Sequence, residues 1–322
     1  MPTKTPAKKS TTGKTSTSKV KDKETPFYFS VPEFYASFEN SQVVIIPCAY
    51  EATTTQGKGT KFGPQAVFEA SKSIELFDDE LWTESYKIGI HTHKELKIAP
   101  VVGETQNPFH EIHDAVKQIV EITKFPILVG GEHAITVGAV RACAERYPDL
   151  SVLQISAHSD CRRSHEGNPY SHRSTSYQIY KKALPQPRIT QVGVRNISSE
   201  EVTWMEKEKP NINIYWARQQ DRWNFQDIVS TLSDNVYLDI DVSALDCSVM
   251  PSTGRPEPGG MHWYQLIDLI KVLCIKKNVI GANIVELSPI KGLTSPDLLC
   301  AKLLYKIIGY RFALDLGVTK KY

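Results

Sequence analysis

The sequence lacks the features that assign a chain to the membrane-bound or secreted classes. No apolar run reaches the roughly 18 residues that a membrane span needs, and the N-terminus has no hydrophobic signal-peptide core. The six cysteines are scattered without a CxxC pair, at Cys48, Cys143, Cys161, Cys247, Cys274 and Cys300. We therefore expect reduced thiols in a cytoplasmic protein with no membrane contact.

The chain also has little excess of positive over negative charge, since its formal net charge is +2 over 322 residues. Much of the positive excess lies in residues 1–25, which are rich in Lys, Ser and Thr and have almost no apolar side chains. Such a composition cannot form a core, so we expect a disordered tail followed by a single domain at 26–322. The remaining body is close to neutral, which argues against a nucleic-acid partner.

Short apolar runs rich in Val and Ile alternate with helical periods from residue 43 onward. The pattern predicts strands at 43–50, 87–92, 125–131, 151–158, 188–195, 211–217, 235–242 and 279–287. Helices are predicted at 64–73, 108–123, 134–147, 198–208, 263–275 and 297–309. Pro64 suits a first helical position, and Ser198 with Glu201 has the spacing of a capping box.

Unbroken apolar strands that alternate with helices are typical of a mostly parallel sheet covered by helices on both faces. The predicted fold is therefore α/β, a three-layer α-β-α arrangement around a mostly parallel sheet of about eight strands. In such a sheet the ligand lies beyond the carboxyl ends of the strands. Four predicted strands end in polar side chains, which are His133, the pair His158 and Asp160, the pair Asp239 and Asp241, and Glu286.

The aspartates in "LDID" indicate a cation site. Side chains two residues apart on a strand face the same way, so Asp239 and Asp241 repel each other unless a positive charge lies between them. A hard divalent cation supplies that charge. His158 and Asp160 have the same i, i+2 spacing, and an imidazole beside a carboxylate suits Mn²⁺ or Zn²⁺. The alternatives are acids on a solvated strand end and a hydrogen-bonded core histidine.

Six motifs resemble the arginase/agmatinase (ureohydrolase) family in their order and spacing: "GGEHAIT", "SAHSD", "YSH", "LDIDVSALD", "PSTGRPEPGG" and "VELSP". The resemblance covers roughly residues 40–312 and is closer to the agmatinase branch. It implies the arginase-like fold, two Mn²⁺ ions joined by a hydroxide, and a homo-oligomer, trimer or hexamer. By resemblance, His133, Asp160 and Asp239 hold one ion, and His158, Asp239 and Asp241 hold the other.

The reaction that the resemblance implies is hydrolysis of a guanidino compound to urea and an amine, as in polyamine metabolism. Glu286 is then expected to bind the guanidinium group through a charge-assisted pair. His172 is expected to shuttle a proton to the leaving amine, and Asp241 is the third candidate catalytic residue. His165 is expected to be structural or solvated.

The sequence departs from the family pattern at the candidate site. Ser156 stands where the family has an aspartate that bridges both ions, so weaker binding of the second ion is expected. Asn283 replaces an aspartate. Arg163, Arg173 and Arg255 add positive charge near the expected mouth, where they would repel the cationic end of agmatine and suit an acidic one, unless they point to solvent.

Two other readings are open. One is a catalytically impaired ureohydrolase-fold protein with a structural or regulatory role. The other is a zinc amidohydrolase such as a deacetylase, although "GGEHAIT" and "PEPGG" fit the ureohydrolase pattern better.

Overall fold

The computed structural model of the chain describes residues 1–2, 27–99 and 108–318. Nearly all of the Lys-rich tail lies outside these residues, so its disorder stays a prediction. Among the described residues, no helix is long and apolar enough to cross a membrane.

Eight strands form one sheet, and every neighbouring pair in it is parallel. Numbering the described strands in chain order gives β1 Val43–Cys48, β2 Phe77–Asp78, β3 Thr83–Glu84, β4 Ile90–Thr92, β5 Phe125–Gly130, β6 Ser151–Ile155, β7 Ile189–Val194, β8 Ile212–Trp216, β9 Asn235–Asp241 and β10 Asn278–Val285. The order across the sheet is β4-β1-β5-β10-β9-β6-β7-β8. All eight predicted strands are confirmed. The small antiparallel pair β2–β3 was not predicted, because two-residue strands carry no periodic signal.

The described α-helices are α1 Glu33–Ala36, α2 Gly63–Ser71, α3 His110–Glu121, α4 Thr136–Arg146, α5 Thr175–Gln178, α6 Ser199–Glu208, α7 Phe225–Ser230, α8 Trp263–Lys276 and α9 Ser295–Arg311. The six predicted helices correspond to α2, α3, α4, α6, α8 and α9. The other three have at most six residues, which is too short for a helical period to appear. Pro64 lies in the first turn of α2, and Ser198 and Glu201 form the predicted capping box.

The buried side chains form two hydrophobic clusters, one on each face of the sheet. Val43 and Ile45 of β1 belong to one cluster, whereas Val44 and Ile46 belong to the other. The first cluster includes side chains of α2, α8 and α9, and the second includes side chains of α3 and α4. Strands covered on both faces must be apolar throughout, which explains the unbroken apolar runs in the sequence.

Four strands that end in candidate site residues lie next to one another, in the order β5, β10, β9 and β6. Asn283 of β10 pairs with Asp239 of β9, and Val285 pairs with Asp241. Because all of these strands run in the same direction, their carboxyl ends meet at one edge of the sheet. The topology therefore gathers the polar side chains that are far apart in sequence.

Candidate metal centre

His133 lies at the centre of the polar cluster, in a 3₁₀ turn at His133–Ile135 that follows β5. The chain passes close to a neighbouring segment here, since a Cβ atom at Gly131 would lie 1.9 Å from the carbonyl oxygen of Tyr50. Only glycine permits this approach. The close packing fixes the turn that carries the His133 side chain.

Both ring nitrogens of His133 contact buried carboxylates. Nδ1 lies 2.9 Å from Oδ2 of Asp160, and Nε2 lies 2.9 Å from Oδ2 of Asp239. Burial lowers the pKa of His133, but the Asp239 and Asp160 carboxylates outweigh it and raise the pKa well above its usual range. The imidazole therefore lies where a positive charge is favoured. A divalent cation can take the place of one of its protons.

Asp241 accepts hydrogen bonds on both carboxylate oxygens. Oδ2 accepts from the Ser156 hydroxyl at 2.8 Å and from the Ser243 hydroxyl at 2.6 Å, and Oδ1 accepts from the Ser243 amide at 2.8 Å. Burial raises the pKa of Asp241, but His158, His133 and Ser243 hold it well below its usual range. Asp241 is therefore a buried carboxylate that stays ionised.

The strand predicted at 151–158 ends earlier, at Ile155. His158 lies beyond that end in an isolated parallel bridge with Asn196, Asp160 lies in the loop that follows, and both line the same cavity. Asp160 has φ of 49°, in the left-handed region, because the chain turns there to bring its carboxylate to His133. This turn has no clear sequence signal.

His158 lies at the side of the cluster. Its Nδ1 is 3.7 Å from Oδ2 of Asp241, and its Nε2 is buried without a hydrogen-bond partner among the described residues. A buried nitrogen without a partner is costly unless a ligand or water meets it. The nearest acid to Nε2 is Glu257, whose Oε1 is 3.8 Å away.

The donor atoms of His133, Asp160 and Asp241 all lie within 4.8 Å of one another, and all three residues are buried. Imidazole nitrogen and carboxylate oxygen suit a borderline or hard divalent ion. Together with the unpartnered Nε2 of His158, this donor set fits a metal ion. Asp239 adjoins the set through His133, and Asn283 donates a 2.7 Å hydrogen bond to its Oδ1.

Glu286 follows directly after β10 and has φ of 69°. Its Oε1 accepts a 2.6 Å hydrogen bond from the His133 amide. Burial raises the pKa of Glu286 well above its usual range, and the negative charge of Asp241 raises it further. An incoming cationic group would relieve both effects.

His172 lies in the 3₁₀ turn His172–Ser174 and contacts Thr53, a residue that the sequence did not indicate. Its Nδ1 is 3.1 Å from Oγ1 of Thr53, and that hydroxyl donates to Oε1 of Glu132 at 2.7 Å. With the Thr53 proton directed to Glu132, Nδ1 of His172 must be the donor, which leaves Nε2 free to accept. Burial and the nearby Arg173 lower the pKa of His172 to about 3.

A cavity of about 30 Å³ brings most of these side chains together; its lining includes His133, His158, Asp160, His172, Asp241 and Glu286. Arg173 and Arg255 line the same cavity. Arg163 is exposed and lies outside this lining, so the alternative that it points to solvent applies to Arg163. His165 lies outside the lining, with its ring centroid 6.5 Å from that of His172.

Comparison with known proteins matches residues 41–309 to the arginase family. An N(1)-aminopropylagmatine ureohydrolase of Synechocystis sp. is 36% identical over 297 residues, which cover 88% of this chain and 94% of that protein. An agmatinase of Pyrococcus horikoshii is 31% identical over 283 residues, covering 84% of this chain and 92% of that protein.

Among solved structures, the agmatine ureohydrolase of Thermoplasma volcanium superposes with a TM-score of 0.77. Its sequence is 26% identical, and the match covers 87% of this chain and 94% of that one. The predicted fold class is therefore confirmed by both the strand topology and a solved relative.

Proposed function

The chain belongs to the arginase family, and from that premise we propose that it is a metal-dependent ureohydrolase that converts a guanidino compound to urea and an amine. The observation that carries the proposal is the meeting of His133, Asp160 and Asp241 within 4.8 Å in a cavity that Glu286 also lines. The relatives' names support an enzyme and do not favour the reading of a structural or regulatory subunit.

We infer from the family resemblance that the ion is Mn²⁺, and a donor set of imidazole nitrogen and carboxylate oxygen suits this ion. By the family resemblance, His133, Asp160 and Asp239 would hold one ion, and His158, Asp239 and Asp241 would hold the other. The closeness of His133, Asp160 and Asp241 supports a shared centre. A bound divalent ion supplies a water that ionises near neutral pH and polarises the group that it contacts. Ser156 contributes a neutral hydroxyl at this place, so the second ion is expected to bind more weakly.

Glu286 is the proposed guanidinium-binding residue. Its carboxylate is oriented by the hydrogen bond from the His133 amide, and it is almost fully buried. A planar guanidinium can donate two parallel hydrogen bonds to a carboxylate. Such a pair would keep Glu286 ionised despite its burial and would fix the carbon that water attacks.

His172 is the proposed proton carrier. Burial and Arg173 keep His172 neutral at physiological pH, and its free Nε2 is the atom that would accept a proton and pass it to the leaving nitrogen. Thr53 and Glu132 are positioning residues, because they hold the Nδ1 side of the ring and leave Nε2 as the acceptor.

The proposal extends to the oligomeric state, the cellular location and the domain organisation of the chain. A homo-oligomer, trimer or hexamer, is proposed from the family resemblance. A cytoplasmic location is proposed from the six free cysteines, all of which lie among the described residues and none of which forms a disulfide. Residues 26–322 are proposed to form one domain.

The test is urea release from a panel of guanidino compounds by the purified chain loaded with Mn²⁺, Ni²⁺ or Zn²⁺. Urea production that depends on added metal and is lost in Glu286→Gln supports the proposal. Failure to release urea from any compound with any of the three metals, in protein shown by elemental analysis to contain metal, would refute it.

A further inference from the structure

Three arginines surround the candidate metal centre. Arg173 and Arg255 line the cavity that contains the candidate ligands, and Arg162 joins them around an adjoining cavity that shares His158 and Asp160. A substrate that reaches the cavity must therefore pass guanidinium groups. The charges of these arginines determine which charged groups are tolerated at the end of the substrate that lies farthest from the metal centre.

The three arginines differ in how closely an acidic side chain neutralises their charge. Arg162 lies 3.4 Å from Glu200 and Arg255 lies 3.4 Å from Glu257. Glu257 is itself shared, because its Oε1 also accepts a 2.7 Å hydrogen bond from Asn196. Arg255 therefore shares this acceptor oxygen with Asn196 and lies farther from it, at 3.4 Å.

Arg173 has no acidic partner within 4.0 Å among the described residues. Its Nη2 donates to the Thr55 hydroxyl at 2.9 Å, and its Nε is buried without an acceptor. Burial and the charges of Arg255 and Arg162 lower the pKa of Arg173. A buried donor that lacks an acceptor favours a ligand that offers one, and the neighbouring Arg255 and Arg162 favour an anionic acceptor.

The cavity is lined by side chains of both signs, with Glu286 among the acids. Arg173 and Arg255 are the long, flexible members of that lining. A carboxylate can pair with both as they move, whereas an ammonium group would be repelled by both.

We propose that Arg173 and Arg255 select a guanidino substrate that carries a carboxylate at the end remote from the guanidinium group. This inference rests on the proposed ureohydrolase function and names its substrate class. It separates the chain from the relatives named for agmatine and N(1)-aminopropylagmatine, since the remote ends of those compounds are amines. Glu286 would hold the guanidinium end and the two arginines the acidic end.

The experiment compares 4-guanidinobutyrate with agmatine, two compounds of similar length whose remote ends have opposite charge. The metal-loaded full-length protein should show kcat/KM for 4-guanidinobutyrate at least about tenfold above that for agmatine, as loss of one charge-assisted hydrogen bond predicts. Arg173→Gln and Arg255→Gln should each reduce this ratio about tenfold or more. Arg173→Lys should retain part of it.

Arg163→Gln is the matched control, because Arg163 belongs to the same loop but is exposed and does not line the cavity. Arg163→Gln removes the same charge as Arg173→Gln. If the ratio of the two kcat/KM values is unchanged in Arg163→Gln, the preference depends on direct contact with Arg173 and not on the net charge of the protein. A ratio that favours agmatine in the wild type, or that Arg163→Gln reduces as much as Arg173→Gln does, overturns the inference.

A direct binding measurement separates this inference from the proposed function. Isothermal titration of both compounds into metal-loaded protein reports the preference even if no urea is released. Tighter binding of 4-guanidinobutyrate that is lost in Arg173→Gln supports the inference while the absence of urea counts against the proposed function. Urea release with tighter binding and faster turnover of agmatine keeps the proposed function and refutes the inference.

Discussion

The Ser156 hydroxyl donates a hydrogen bond of 2.8 Å to Oδ2 of Asp241. This contact joins the residue that departs from the ureohydrolase pattern to one of the candidate metal ligands. The same hydroxyl accepts a 3.0 Å hydrogen bond from the amide of His158. Ser156 therefore lies between two candidate ligands, so its chemistry bears directly on how many ions the site can hold.

Asp239 should be essential for metal binding. It is fully buried and contacts His133 at 2.9 Å, so its loss removes a carboxylate and leaves the His133 ring unsupported. We expect Asp239→Ala to weaken Mn²⁺ binding by about 100-fold or more, above the cost of losing an outer-shell contact. Titration calorimetry measures the effect.

His165→Ala is the control for the Asp239 variant. His165 lies in the neighbouring loop and outside the cavity lining, and its loss should change Mn²⁺ affinity less than about threefold. Equal losses of affinity in the two variants would contradict the ligand assignment.

His172 should act as a neutral base over the physiological range. Its pKa of about 3 means that it does not titrate between pH 5 and 8, so it should produce no acidic limb in the pH profile of kcat there. His172→Asn should lower kcat about 100-fold to 1,000-fold with unchanged metal content. An inflection near pH 6 that disappears in His172→Asn would show that the imidazolium form is the active one.

Glu80 should contribute stability that depends on pH. It accepts from Lys271 at 2.5 Å, from Lys306 at 3.1 Å and from the Tyr310 hydroxyl. Burial raises the pKa of Glu80, but these three donors outweigh it and lower the pKa below its usual value. The folded state therefore binds the Glu80 proton less tightly than the unfolded state does, so the stabilisation is present at neutral pH and disappears as the pH falls below about 4.3.

Glu80→Gln should accordingly lower Tm at pH 7 by an amount equivalent to about 1 kcal/mol after solvent screening, and the difference from wild type should close between about pH 5 and 3. Thermal melts across that range measure it. Glu84→Gln is the control, since Glu84 pairs with Lys87 at the surface and should leave Tm unchanged. A Glu80→Gln difference that stays constant with pH would contradict the argument.

The Lys-rich tail should be dispensable for the folded body. Its composition offers no apolar surface with which to dock, so deletion of residues 1–25 should leave both Tm and the oligomeric state unchanged. Differential scanning calorimetry and light scattering test this. A large fall in Tm of the truncated protein would refute the prediction that residues 26–322 form an independent domain.

The elements of the fold were predictable because they depend on local patterns. Unbroken apolar runs predict buried parallel strands, and the carboxyl-end rule brings His133, Asp239 and Glu286 to one edge without knowledge of strand order. The ends of the strands were predicted less well. Strand β6 stops at Ile155, and the three residues to His158 form a loop that the apolar pattern does not distinguish from strand.

Contacts between residues distant in sequence could not be predicted in the same way. Thr53 and His172 are 119 residues apart in the sequence but lie in contact. Glu132, which accepts the hydrogen bond from Thr53, is buried, although the sequence alone suggests a surface acid in a turn. Likewise, the sequence placed three arginines near the mouth, but only the fold shows that Arg173 and Arg255 line the cavity while Arg163 is exposed.

Ser156→Asp should increase the number of ions that the protein retains. Ser156 is almost fully buried, at 1% exposure, and its Oγ lies next to Asp241, so an aspartate there would place a second carboxylate beside the first. Without metal the two charges repel in a buried site, and the metal-free variant should melt below the wild type. With metal, the added carboxylate can bridge two ions, and Mn²⁺ should raise Tm more in the variant than in the wild type.

Ser156→Asn is the matched control, because asparagine has nearly the same size as aspartate but no charge. It should reproduce any steric cost of Ser156→Asp without the gain in metal. Elemental analysis after gel filtration should find close to one Mn²⁺ per chain in the wild type and in Ser156→Asn, because neither side chain supplies a bridging charge, and close to two in Ser156→Asp. Urea assays on the same samples then show whether turnover follows the second ion. Two tightly held ions per chain in the wild type would mean that Ser156 is no defect and that water or another donor completes the bridge.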